Sequence, residues 1–91
     1  MTIGYKPSFV REFKKLTTDL QADALDKIEL FKDSGNHKRL KVHKLKGKLG
    51  NYHSFSVTYS HRIVFNYTAK NEVVFLAIGD HAVYRYTLSV P

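Results

Sequence analysis

The sequence predicts an α+β domain in which an N-terminal helical hairpin packs on one face of an antiparallel β-sheet. Three observations lead there. Up to Phe31 the apolar residues recur three and four apart, the period of a helix with one buried face. From Ser54 onward they alternate with polar residues, the period of a half-buried strand. Between the two regimes lie Ser34-Gly35-Asn36 and a basic stretch, so helices and strands fall in separate runs rather than alternating.

Taken in order, residues 3–5 are a short apolar piece before Pro7, expected as an edge strand. Ser8 is placed to cap a helix whose Phe9, Phe13 and Leu16 share one face, and Thr18 with Gln21 reads as a capping box. Behind that pair, Leu20, Ala24, Ile28 and Phe31 form one stripe, which Leu25 widens, while Asp23, Asp26, Lys27 and Lys32 make the solvated face. Gly35 is expected to close this second helix as its C′ residue. Further on, Phe55, Val57 and Tyr59 alternate with Ser54, Ser56 and Thr58, and Ser60-His61 turns the chain into a strand at 62–67. A turn at Ala69-Lys70-Asn71 leads to a strand at 72–78 that is apolar on both faces and therefore expected inside the sheet. Gly79-Asp80 ends it, and residues 84–90 are expected to add a short final strand. If Ile63 and Phe65 face the helices, Arg62, Ser54, Ser56 and Thr58 face away, making a polar groove on the open side of the sheet.

The 91 residues, 43% of them hydrophobic and 13% aromatic, suit a single domain spanning 1–91 with one modest core. The absence of cysteine excludes disulfides, thiol nucleophiles and thiolate metal sites, and suits a reducing cytoplasm, where the protein is expected. No apolar run has the length of a membrane span, and Met1 is not followed by a secretory signal, so no membrane association is expected. The net charge of +7 comes from the middle of the chain: residues 34–71 hold eight Lys and Arg and no Asp or Glu, while the segments on either side are close to neutral. A field of one sign favours a polyanion, and nucleic acid is the commonest.

No metal site is expected from the spacing of His37, His43, His53, His61 and His81, no glycine loop could cradle a phosphate, and no cofactor is implied. A paired-carboxylate hydrolase is disfavoured by the acid-free middle segment. Histidine, lysine, arginine and tyrosine remain, and such a set can cleave RNA without a metal. Attack of the ribose 2′-oxygen on the adjacent phosphorus requires a base at the 2′-OH, an acid at the leaving 5′-oxygen, and cations beside the phosphoryl oxygens. Histidine suits the first two tasks near neutral pH, and arginine or lysine the third. His81, after the break at the end of an interior strand, and Arg62, on the polar sheet face, are the leading candidates; a turn histidine and a solubilising surface arginine are the plain alternatives. His43 is either a base or part of the basic patch, and His53 shares the parity of core-facing Phe55. Tyr84 and Tyr86 either stack on a base or pack.

The run His43-Lys44-Leu45-Lys46-Gly47, then Tyr52, then Tyr59-Ser60-His61-Arg62-Ile63-Val64-Phe65, then Ile78-Gly79-Asp80-His81 with Val83-Tyr84-Arg85, resembles the RelE/ParE toxin superfamily. The likeness covers nearly the whole chain and is strongest to the RelE and YafQ branches. It implies the toxin of a type II toxin–antitoxin system: a small cytoplasmic, metal-independent endoribonuclease that cuts mRNA on the ribosome and is neutralised by a cognate antitoxin protein. Carried over by position, Arg62 matches the phosphate-stabilising arginine, His43 a histidine of the YafQ branch, His81 the histidine or basic residue after the strand-ending glycine, and Tyr84 the aromatic that follows. Lys38, Arg39, Lys41, Lys44, Lys46, Lys48 and Arg85 would hold ribosomal RNA or mRNA, and some of these lysines would also meet the antitoxin.

There are departures from the pattern. One residue fewer separates His81 from the aromatic, so Tyr84 and Arg85 compete for one role. Ser56 and Ser60 stand where the YafQ branch has a second histidine and an aspartate. The lysines of the RelE branch align with His53 and Phe55, leaving His43 and His53 both open as the general base. Two other functions suit the same sequence: a ParE-like inhibitor of DNA gyrase, which needs no acid–base set, and a non-catalytic RNA-binding module.

Overall fold

The computed structural model describes residues 1–84. Strand β1 (Thr2–Tyr5) is followed by helices α1 (Pro7–Lys14) and α2 (Thr18–Phe31), then by strands β2 (His43–Lys44), β3 (His53–Ser56), β4 (Arg62–Ala69) and β5 (Glu72–Gly79). The five strands form one sheet in the order β1-β5-β4-β3-β2. Three of its four pairings are antiparallel; β1 runs parallel to β5, with Ile3 opposite Val73 and Tyr5 opposite Phe75. The predicted antiparallel sheet is present from β2 to β5, and β1 joins its edge in parallel. Two helices lie between β1 and the other strands, and they carry the chain across the sheet, so β1 need not turn back on a neighbour by a hairpin.

The helical stripe and the strand alternation meet as the sequence predicts. Phe9, Ala24, Ile28 and Phe31 pack on Phe55, Ile63, Phe65, Val73 and Phe75 in one buried cluster. The Phe31 ring lies 4.6 Å from Phe55, 4.9 Å from Phe65 and 5.6 Å from Phe75, so the C-terminal turn of α2 sits on the middle of the sheet. Strand β5 is interior and apolar on both faces for an added reason. Val64 pairs with Ala77 but Phe65 pairs with Phe75, so Leu76 is an extra residue in β5. This bulge lets Phe75 and Ile78 both join the helix-side core while Leu76 and Ala77 both lie in a second cluster on the open side.

Local details differ from the sequence reading. Helix α1 starts at Pro7, whose fixed φ and missing N–H suit a first helical position. Ser8 is not its cap; its hydroxyl donates to the Leu76 carbonyl at the bulge, 2.9 Å away. The cap of α2 is Thr17, whose Oγ1 accepts from the Leu20 amide, and Gln21 donates instead to the Phe13 carbonyl, tying the hairpin connection. Gly35 lies in a 3₁₀ turn (Ser34–Asn36), its amide held by the Asp33 carboxylate, and not at a left-handed helix end. Strand β3 stops at Ser56, since at Val57 the chain already closes on itself: its amide donates to the His61 carbonyl, and Thr58 Oγ1 accepts from the amides of Ser60 and His61. Val83 and Tyr84 have helical backbone; the remainder of the expected final strand lies outside the described residues.

Candidate functional site

The open face of the sheet is not the continuous polar groove expected. Val64, Leu76, Ala77 and Val83 are buried there with Leu45, Tyr52, Val74 and Tyr84 around them. Val83 and Tyr84 come from the turn after β5 and cover the middle of the face, leaving Ser54 with 0% exposure and its Oγ 3.5 Å from the Tyr84 hydroxyl. The alternation in β3 and β4 shows which residues point away from the helices. It does not show that a later segment covers them.

Polar and charged groups gather instead at one end of this face, where β3 runs into β4. Ser56 pairs with Arg62, and Arg62 with Gly79, so these positions form a row across three strands. The Arg62 Nη1 donates to three carbonyls of the turn it follows, Thr58 (2.8 Å), His61 (3.1 Å) and Tyr59 (3.3 Å). The guanidinium is therefore fixed by its own hairpin, and none of the hydrogen bonds among the described residues uses its Nη2 or Nε. Next to it, Leu40 is buried and its carbonyl accepts from the Ser56 amide (2.9 Å), which fastens the 39–41 loop to the edge of β3. Arg39 and Lys41, on either side of that anchor, are exposed. Arg39, Lys41, Ser56 and Arg62 line a cavity of about 210 Å³, together with Lys27 from α2 and Tyr59. The ion pairs among the described residues, Lys15–Glu12 and Lys32–Glu29, both lie on the helices. No described carboxylate forms an ion pair with a cation of the basic segment.

The five histidines separate by environment. His43 pairs with Ser54 and so shares the open face with Arg62. Its Nδ1 lies 2.8 Å from the Lys41 carbonyl, which can only accept, so Nδ1 carries the proton and in the neutral ring Nε2 holds the lone pair. His81 is exposed in the turn that follows Gly79, at Arg62's end of the sheet, where the Asp80 carboxylate accepts from the Ala82 amide. His37 is structural, stacked on Phe31 with Nε2 against the Phe31 carbonyl. His61 meets the Ser60 hydroxyl within the hairpin turn.

His53 pairs with Phe65 and faces the helices, on the side opposite Arg62. Its ring stacks on Phe65 and meets Tyr67 edge-on, and its Nδ1 is buried without a hydrogen-bond partner. Burial, reinforced by the nearby charges of Lys44 and His43, pushes its pKa below the ordinary 6.5. The folded chain resists protonation here while the unfolded chain does not, so the unfolded state binds more protons as pH falls through the ordinary histidine range. Stability is therefore expected to be full above that range and to fall on acidification. A series of urea midpoints between pH 8 and 5 should show this slope flattened in His53→Phe; an unchanged slope would assign the dependence to another group.

Register also moves one comparison made from the sequence. The β3 positions on Arg62's face are Ser54 and Ser56, whereas His53 and Phe55 face the helices, so both positions opposite β4 on the open side are serines. Lys38, Lys44, Lys46 and Lys48 are exposed along the basic segment, Tyr84 is half-buried, and Arg85 lies outside the described residues. Lys27 was legible only as part of a wet helix face, and Tyr59 as an alternating strand residue within the run that carries the resemblance; neither carries a local signal for the cavity they help line. A second cavity, of about 170 Å³, lies on the helix side between Tyr5, Phe9, Phe13 and Leu25, and is apolar throughout.

The fold is shared with chains of solved toxin–antitoxin complexes. A chain of the YoeB–YefM complex from Staphylococcus aureus superposes with a TM-score of 0.70 at 19% identity, covering 89% of this chain and 97% of that one. A chain of the toxin–antitoxin complex RelBE2 from Mycobacterium tuberculosis gives 0.66 at 17% identity over 88% and 96%, and YafQ from Escherichia coli gives 0.67 at 15% over 90% and 94%. This chain has the RelE-like fold that those structures share. No family model matches it, and no curated protein matches it by sequence.

Proposed function

We propose that the chain is the toxin of a type II toxin–antitoxin pair and cleaves mRNA on the ribosome as a metal-independent endoribonuclease. The observation that carries this reading is a fixed arginine and an oriented histidine on one face of the sheet: Arg62 held by its turn, and His43 held through Nδ1 with Nε2 left to act. His43 Nε2 takes the proton of the ribose 2′-OH as the 2′-oxygen bonds to phosphorus. The bond from phosphorus to the 5′-oxygen breaks, and His81 as imidazolium gives that oxygen its proton, leaving a 2′,3′-cyclic phosphate and a 5′-hydroxyl end. Arg62 stabilises the charge that builds on the phosphoryl oxygens. His53, on the other face, is not the base. Lys38, Lys44, Lys46, Lys48 and Arg85 hold the ribosomal RNA and message backbone, Tyr84 follows the acid in the chain, and the cytoplasm is where such a protein works. The partner is an antitoxin, as in the complexes whose chains share the fold.

The test is induced expression in bacteria, with primer extension on a translated reporter and on the same reporter lacking its start codon. Cuts within codons that vanish without translation are expected, and His43→Ala and His81→Ala should each reduce them by about 100-fold or more. Growth arrest with intact message would replace this reading with gyrase inhibition. Neither cuts nor arrest would leave an RNA-binding module.

A further inference from the structure

Among the residues lining the cavity beside Arg62, Lys27, Arg39, Lys41 and Tyr59 have no part in the cleavage chemistry. From its lining we infer that it is a phosphate-binding subsite for a nucleotide whose base stacks on Tyr59. The site is built from separate parts of the chain: Lys27 from α2, Arg39 and Lys41 from the loop anchored by Leu40, and Arg62 from the start of β4. Four cations line one space of about 210 Å³ and no carboxylate does, an arrangement that carries a repulsive cost unless an anion occupies it. Arg62 binds the turn carbonyls through Nη1, which leaves the Nη2 edge of its fork for a phosphate oxygen.

Two further observations point to a ligand. Lys41 has φ 58°, in the left-handed region where a lysine is strained and glycine is not. Strain retained at a position that supplies a cation to a cavity is the kind found at binding sites. Tyr59 is 98% exposed at the hairpin tip, and its ring meets no other among the described residues. A turn tip favours Gly, Asn, Asp or Ser, so the fold has no use for a tyrosine there, whereas a nucleobase does.

The inference deepens the nuclease reading and rests on it only for the strand to which the nucleotide belongs. Its test is therefore binding rather than cleavage, so the two can fail separately. Purified full-length protein is titrated with 5′-AMP, adenosine and inorganic phosphate by calorimetry and by amide shifts. The expectation is that 5′-AMP binds at least tenfold more tightly than adenosine, with shifts centred on residues 39–41 and 56–62. Lys41→Gly should weaken 5′-AMP at least fivefold while its melting temperature stays the same or rises, because glycine adopts that backbone without strain. Lys27→Ala should also weaken 5′-AMP, and Tyr59→Ala should weaken 5′-AMP but leave inorganic phosphate unchanged. Affinity for 5′-AMP that is unmoved by Lys41→Gly and Lys27→Ala would overturn the proposal even if the protein cleaves RNA. So would a glutamate-rich peptide that binds the cavity as tightly as 5′-AMP with no dependence on Tyr59, which would make it a docking point for an acidic protein segment. Binding with the expected pattern in a protein that never cuts RNA would leave the subsite standing and remove only the nuclease.

Discussion

Arg62→Ala is expected to lower cleavage of a translated message by about 10²–10³-fold, the usual result of removing one preorganised donor from a developing oxyanion. The same substitution acts on the fold. Nη1 of Arg62 holds the carbonyls of Thr58, Tyr59 and His61, and charged donors of this kind contribute about 1.5–3 kcal/mol where they are shielded and less at a half-exposed site such as this one. A melting curve must accompany the cleavage assay. Arg62→Lys separates the two roles: it keeps the positive charge but loses the planar fork, so it should recover part of the stability and little of the rate. An Arg62→Ala protein that stays folded and still cuts within twofold of the parent would remove Arg62 from the chemistry.

Phe31→Ala is expected to cost about 3–5 kcal/mol, as for other large aromatic-to-alanine changes in a closed core. Phe31 has no exposed surface, and its ring touches those of His37, Phe55, Phe65 and Phe75. A cavity there removes contacts between α2, the sheet and the start of the basic loop together. Small domains have about 5–15 kcal/mol in total, so the variant should stand at the edge of unfolding at 37 °C. Leu25, six residues earlier on the same helix, is the control. The sequence places it on the apolar stripe, yet it is 57% exposed, so Leu25→Ala should change stability by less than about 0.5 kcal/mol. Urea midpoints measure both, and equal losses would show that the core is not organised around the end of α2.

The candidate residues were legible because they depend on residue type and local order. Arg62 follows a turn, His43 lies in an acid-free run, and His81 comes just after an interior strand; those facts need no coordinates. Their environments were not legible. The sequence left His43 and His53 both open as the base, and pairing separates them by face: His43 is opposite Ser54 on Arg62's side, His53 opposite Phe65 on the other. Strand parity placed His53 with Phe55, but only the packing of Phe65 and Tyr67 shows how far its ring is withdrawn from water.

By itself the sequence determined the fold class, the two helices, the interior position of β5, the side of the sheet that meets them, and the location of the positive charge. Each follows from periodicity or composition, which are properties of neighbours along the chain. Tertiary structure alone decided that β1 joins the sheet parallel to β5, that Leu76 is a bulge, that Val83 and Tyr84 close over Ser54, and that Lys27 reaches the same cavity as Arg39, Lys41 and Arg62. The reason is the same in each case. These contacts join segments far apart in sequence, and their register and reach depend on how the helices and sheet pack, which no local pattern encodes.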